Sequence, residues 1–208
     1  MIKRIIFDLD NTLINFPKDY EKQYGKVINK YNLNVTSLDI YKIIGLYETN
    51  KENVYYDKNK MLDLVNKEFN LNLDLDFMDY LLDVISNITD NIDSGVIDTL
   101  EYLSKKYELI VLTNWFTECQ KQRLEKANIL KYFKKVYGTD KIPMKPRKES
   151  FMSVIGNLKP EECVMIGDNL KVDIEVPYEL GFNVYHLNKL GTSKYPTIRK
   201  IEELKEML

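Results

Sequence analysis

Apolar residues along this chain fall into two textures. Short β-branched and apolar runs occupy residues 2–7, 109–112 and 164–166, and weaker ones lie at 136–138 and 184–185. Runs of this length, bounded by turn-forming residues, predict buried strands. Between them the apolar period lengthens, and residues 96–107, 118–128, 148–156, 169–180 and 198–208 read as helices. Gly181 follows the fourth of these, where a glycine suits a helix C-terminus. Strands alternating with helices imply a Rossmann-like α/β core, a parallel sheet covered by helices on both faces.

From about residue 16 to 91 the texture is different. Tyr20, Tyr24, Val27, Ile28 and Tyr31 recur at helical spacing, as do Met61, Leu62, Val65 and Phe69, and residues 77–88 form a third helix candidate. No convincing strand interrupts this stretch, which is rich in Asn, Lys and Tyr. The predicted organisation is therefore a core of residues 1–15 and 92–208 with an all-helical cap, 16–91, inserted early. Hinges are expected near Asn15-Phe16-Pro17 and Asn91-Ile92-Asp93.

Composition narrows the function. With 30 Lys and Arg against 32 Asp and Glu, the net charge is −2. That balance gives no electrostatic case for a nucleic acid polymer or an anionic membrane as partner. The apolar start meets Asp8 too soon for a signal peptide or a membrane span. Cys119 and Cys163 share no metal-ligand spacing and neither opens a Cys-x5-Arg loop, so the reducing cytoplasm is the expected compartment. The single histidine, His186, excludes mechanisms built on paired histidines. It reads as a surface or hydrogen-bonded residue beside the last strand. No residue pattern speaks to an oligomeric state.

Three predicted strands end abruptly in polar residues: Phe7 into Asp8, Leu112 into Thr113-Asn114, and Ile166 into Gly167-Asp168. Open parallel sheets bind ligands outside the carboxyl ends of their strands. The three ends would then converge on one site carrying two carboxylates, a hydroxyl and an amide. Singly, each residue has a bland reading, since Asp and Asn form turns and Thr caps helices. Their joint placement favours a site.

The segments Asp8-Leu9-Asp10-Asn11-Thr12-Leu13, Leu112-Thr113-Asn114, Met144-Lys145-Pro146 and Gly167-Asp168-Asn169-Leu170-Lys171-Val172-Asp173 occur in that order. Together they resemble the four motifs of the haloacid-dehalogenase superfamily: DxDxT, a strand-end Thr or Ser, a Lys, and GDxxxxD. The likeness runs from Asp8 to Asp173, and the helical insertion falls where that family places its cap. It implies a Mg²⁺-dependent phosphatase for a small phosphorylated metabolite, with Asp8 as the nucleophile that becomes an aspartyl-phosphate. Asp8, Asp168 and the backbone carbonyl of Asp10 are the implied metal ligands. The side chain of Asp10 is the implied general acid and base, Thr113 and the Asn114 amide bind the phosphoryl group, and Lys145 offsets its charge. Thr12 and Asp173 are the implied supports behind these groups.

The chemistry explains why such residues belong together. A phosphomonoester is a dianion, and an anionic nucleophile approaches it only when that charge is offset. Mg²⁺ prefers oxygen ligands, and a free aspartate, with a pKa of about 3.9, is ionised at neutral pH. Lys145 shares its segment with Lys141, Arg147 and Lys148, which compete for the same role. Asp173 is equally readable as an acid favoured in the first turns of a helix, and Trp115 as a packing anchor or a residue at the site mouth. The dehalogenases resemble DxY at the first motif, so Asp10 argues for phosphoryl chemistry. A phosphosugar mutase is the closer alternative, although its usual opening resembles DxDGV where this chain has Asn11-Thr12. A phosphatase acting on nucleoside monophosphates, phosphoglycolate or a sugar phosphate fits best, and a catalytically idle phosphate-binding protein fits least.

Overall fold

The structure is a computed structural model and describes residues 1–15, 20–88 and 92–208. Six strands form one sheet: β1 (Arg4–Phe7), β2 (Glu108–Thr113), β3 (Lys135–Gly138), β4 (Cys163–Gly167), β5 (Asn183–Leu187) and β6 (Thr197–Ile198). All the pairings are parallel and the spatial order is β3-β2-β1-β4-β5-β6. This is the Rossmann order, in which the sequence leaves β1 toward one edge and later returns to its other side.

Side-chain alternation explains the unbroken apolar runs. On β1, Ile5 and Phe7 point to one face, with Leu109, Val111, Val164 and Ile166. There they pack under Val96, Leu100 and Leu103 of α5 (Ser94–Ser104) and Leu204 of α9 (Leu204–Met207). Ile6 points to the other face, with Ile110, Leu112 and Met165, and meets Phe151, Val154 and Ile155 of α7 (Lys148–Ile155). A strand buried on both faces has no polar side to show, which is why it reads as a continuous run.

Four helices lie between the two undescribed segments: α1 (Tyr20–Lys30), α2 (Ser37–Thr49), α3 (Lys58–Phe69) and α4 (Leu75–Ser86). Their apolar stripes meet in a cluster of their own, built on Val27, Ile43, Met61, Phe77, Met78 and Leu81. Trp115, Phe116, Cys119 and Met144 join that cluster from the sheet side. The loop after α2 is tied to the sheet unit by backbone bonds from Met144 N to Val54 O and from Tyr56 N to Thr139 O, both 2.8 Å. Of the expected hinges, Phe16, Pro17 and Asn91 lie outside the described residues, and the described ends meet, with Asn15 Nδ2 donating to Asp93 Oδ1 at 3.3 Å.

Three sequence expectations change. Helix α2 was not anticipated, although Thr36 and Asp39 form a reciprocal capping box at its start. Residues 169–180 are not one regular helix: a wide π turn, Leu170–Ile174, precedes α8 (Glu175–Glu179). That turn is set by Asn169, whose side chain accepts from the amides of Lys171 and Val172. The terminal segment is not one helix either. Thr197 and Ile198 add edge strand β6, and a 3-10 turn, Ile201–Glu203, leads into α9. Two residues are too few to display a strand period.

Candidate active site

Register fixes where the motif residues meet. Phe7 lies beside Val111 on one flank and Ile166 on the other, so Asp8, Thr113 and Asp168 emerge together at the carboxyl end of the sheet. Beyond Asp8 the chain folds into a tight turn in which Leu9 O accepts from the amides of Thr12, Leu13 and Ile14. Asn11 sits there at a φ of 61°, a left-handed conformation that asparagine tolerates better than most residues. The turn points Thr12 back at the strand end, and its hydroxyl donates to Asp8 Oδ2 at 3.1 Å.

Lys145 is the one basic residue of its segment turned fully inside, 4% exposed. Lys141 instead pairs with Asp140 at the surface, and Arg147 donates to Lys51 O. The Lys145 ammonium bridges Asp8 Oδ1 at 2.7 Å and Asp173 Oδ1 at 2.6 Å. Asn114 holds the lysine backbone from both sides, donating to Lys145 O at 3.1 Å and accepting from Lys145 N at 2.9 Å. This use of the Asn114 side chain was not expected from the sequence. Asp173 is fixed in turn by the Asn169 amide, which donates to its Oδ2 at 3.1 Å. Gly167 makes room for it, since a Cβ there would stand 2.4 Å from the Asp173 Cβ. Asp173 thus pairs with Lys145 as well as lying in the π turn.

Three carboxylates, Asp8, Asp168 and Asp173, offer oxygens that all lie within 4.8 Å of one another, and the Lys145 ammonium pairs with two of them, Asp8 and Asp173. Burial is the largest influence on Asp8. Lys145 pulls the other way, Asp173 adds to the rise, and the balance leaves the carboxyl at about 7. Burial and then the Asp8 charge raise Asp168 to about 6. With only protein groups around it, Asp8 is thus not the fully ionised aspartate that its reference pKa suggests. Buried carboxylates crowded around too little positive charge, with an all-oxygen donor set, fit a hard divalent cation such as Mg²⁺. Lys145, by contrast, is held firmly protonated: its two carboxylates outweigh the burial that opposes its charge.

Asp10 belongs to a different network. Its carboxylate faces α6 (Thr117–Lys126), where Arg123 NH2 lies 2.7 Å from Oδ1, and Arg123 NH1 and Gln120 Nε2 donate to Oδ2 at 3.0 and 3.2 Å. Gln120 also donates to the Thr113 hydroxyl at 2.9 Å. Arg123 is 2% exposed and its Nε donates to Ile88 O at 2.8 Å, just past α4. Neither Gln120 nor Arg123 was singled out in the sequence. The available signal was their placement on the helix stripe that includes Leu124, where a solvated residue does not belong. The Asp10 carboxylate is not one of the three grouped carboxylates.

These groups line a cavity of about 280 Å³ whose far wall comes from α1, α2, α4 and the loop after α2, with Tyr24, Tyr41, Glu48 and Tyr56 among its residues. Trp115 lines the cavity and also packs edge-on against Tyr56, so both readings of it hold. His186 is not at the surface. It lies within β5, buried, with Nε2 3.0 Å from the Asp168 carbonyl oxygen. Both cysteines are buried and free, and burial pushes the Cys119 thiol up to about 12.

Known proteins are similar to this chain in sequence and fold. The haloacid dehalogenase-like hydrolase family matches residues 5–186. The HAD-hydrolase YfnB of Bacillus subtilis is 22% identical over 99% of this chain and 95% of its own length. The magnesium-bound structure of YfnB has a TM-score of 0.77 and covers 100% of this chain and 98% of that one. A HAD phosphatase from Thermococcus onnurineus is 22% identical with a TM-score of 0.72, covering 99% of this chain and 97% of that one. A β-phosphoglucomutase from Thermotoga maritima is 23% identical with a TM-score of 0.70, each chain covered in full. Haloacid dehalogenases are similar in structure too, so the likeness establishes the fold and not which bond is broken. The chain belongs to the haloacid dehalogenase-like hydrolase family.

Proposed function

We propose that this chain is a Mg²⁺-dependent phosphatase that hydrolyses a small phosphomonoester through a phosphoryl group held on Asp8. The observation that carries this reading is the separation of the two motif aspartates. Asp8 is bound by Lys145 and Thr12, whereas Asp10, two residues on, is bound by Arg123 and Gln120. Two carboxylates with separate partners suit a nucleophile and a proton carrier. Displacing halide would need no proton carrier, which argues against a dehalogenase.

Asp8 and Asp168, with the Asp10 carbonyl, would hold the cation, which supplies charge neutralisation for the dianionic phosphoryl group. Asp8 attacks phosphorus, the ester P–O bond breaks, and Asp10 gives the departing alkoxide its proton. Asp10 then takes a proton from water, whose oxygen attacks the same phosphorus and releases phosphate and free Asp8. Lys145 places its charge beside the nucleophile oxygen, and Asp173 and Asn114 keep it there. The Thr113 hydroxyl accepts from Gln120, which directs its own proton elsewhere, toward a phosphoryl oxygen. Docking of the helical insertion, residues 16–91, over this end of the sheet would keep bulk water from the intermediate.

The test is phosphate release from a panel of phosphomonoesters with Mg²⁺ and with a chelator. Mg²⁺-dependent release is the expected result. Failure of every ester, with interconversion of sugar phosphates instead, would replace the phosphatase with a mutase.

A further inference from the structure

The phosphatase reading leaves open what alcohol the phosphate is attached to, and the cavity is informative on that point. Its two ends differ in charge. At the sheet end stand Lys145 and Arg123, the only cations among the described residues lining it. Both are committed, Lys145 to Asp8 and Asp173, and Arg123 to Asp10. The lining contributed by α1, α2, α4 and the loop after α2 is Tyr24, Tyr41, Ile44, Glu48, Tyr56 and Ile85. This wall has aromatic faces and one carboxylate.

That carboxylate is held in place. The hydroxyl of Tyr56 donates to Glu48 Oε1 at 2.5 Å. Tyr56 is 3% exposed and its ring is wedged between Tyr47, stacked at 5.2 Å, and Trp115, edge-on at 5.1 Å. A tyrosine fixed on both faces fixes the carboxylate it binds. Glu48 lines the same cavity from an exposed position on α2. Partial burial of its carboxyl raises its pKa, the Tyr56 hydroxyl and the Lys145 charge oppose that rise, and Asp8 and Asp10 add to it, so it lies within electrostatic reach of the reacting end. A carboxylate so placed accepts hydrogen bonds from hydroxyl or amino groups, welcomes a cation, and repels an anion.

We infer that the substrate is the phosphate ester of an alcohol that presents a neutral or cationic hydrogen-bond donor to Glu48 and carries no second anionic group. Glu48 is the specificity-determining residue, and Tyr56 positions it. Phosphoglycolate, which the sequence resemblance offered among its candidates, is disfavoured, because its carboxylate would face Glu48 with no uncommitted described cation to meet it. The proposal rests on the phosphatase reading and adds the class of leaving group.

The experiment compares kcat/KM for 2-aminoethyl phosphate, glycerol phosphate and phosphoglycolate, with 4-nitrophenyl phosphate as a reporter of phosphatase chemistry itself. The wild-type protein is expected to prefer the first two over phosphoglycolate by about tenfold or more, the scale of a like-charge mismatch across a site. The aminoethyl and glycerol esters separate a demand for a cation from a demand for any donor. Glu48→Gln should narrow that preference and Glu48→Lys should reverse it, and a ratio of substrates is insensitive to a general loss of activity. Phosphoglycolate turned over as well as the others by wild type, or a preference untouched by both variants, would overturn the proposal. If no ester is hydrolysed, 4-nitrophenyl phosphate included, the phosphatase reading falls. Calorimetric binding of the same esters to the wild-type and Glu48→Lys proteins then still decides the role of Glu48, by whether phosphoglycolate moves from weakest to strongest.

Discussion

Replacing Arg123 by methionine keeps the aliphatic stem and removes the guanidinium that joins Asp10 to the end of α4. Breaking a buried ion pair on one side costs about 3–5 kcal/mol. Here only one partner is fully buried, the Asp10 side chain being 30% exposed and Arg123 2%. Asp10 therefore recovers hydration, and about 2 kcal/mol is the better figure for the pair. The Ile88 carbonyl loses its donor as well, at about 1 kcal/mol. A total near 3 kcal/mol in a chain of this size lowers the melting temperature by about 6–12 °C. The assay is thermal and urea denaturation of Arg123→Met, Asp10→Asn and the double variant. Because the side chains touch, the cycle should yield a coupling of about 1–2 kcal/mol. A melting temperature within about 1 °C of wild type, or no coupling, would refute the account of this pair.

Other expectations follow from the carboxylate cluster. The Asp8 carboxyl titrates near 7 when folded, against about 3.9 when unfolded, so the native state holds more protons between those values. Stability of the cation-free protein should therefore fall as pH rises from about 4 to 7, with Asp168 contributing up to about 6. Mg²⁺ binds the deprotonated pair, so its stabilisation, about 2.7 kcal/mol at a hundredfold excess over Kd, should appear at about pH 8 and vanish at about pH 5. Equal shifts of melting temperature at both pH values, read by scanning fluorimetry, would contradict the cluster as the cation site. Gly167→Ala would drive a Cβ into Asp173 and displace it from Lys145, costing about 1–3 kcal/mol by overpacking. It should also depress kcat by more than any effect on KM, and an unchanged kcat would show that Asp173 does not support the lysine.

The core was legible because parallel strands buried on both faces leave uninterrupted runs such as Ile5-Ile6-Phe7 and Leu109-Ile110-Val111-Leu112. Their polar endings then pointed to one edge of the sheet. The candidate residues Asp8, Thr12, Thr113, Lys145, Asp168 and Asp173 stand out in the sequence because they lie at those endings or resemble a known order. Helix α2 escaped notice because Tyr41 and Leu46 lie exposed on it among its buried residues, which blurs its stripe. Gln120 and Arg123 escaped because a helix rich in Glu, Lys, Gln and Arg reads as a solvated surface. Only packing against the Asp10 turn and Ile88 buries them, and that is a long-range fact. The raised pKa values of Asp8 and Asp168 are of the same kind, since burial and mutual repulsion exist only once the three strand ends have met.

The most direct test of the central claim is to look for the covalent intermediate. The protein is mixed with an ester that it hydrolyses and Mg²⁺, quenched in acid within the turnover time, digested, and its peptides are weighed. A phosphoryl increment on the peptide containing Asp8, labile to hydroxylamine and absent from Asp8→Asn, is the predicted result. Turnover without any such increment, together with an Asp8→Asn variant that keeps its activity and metal dependence, would contradict the account.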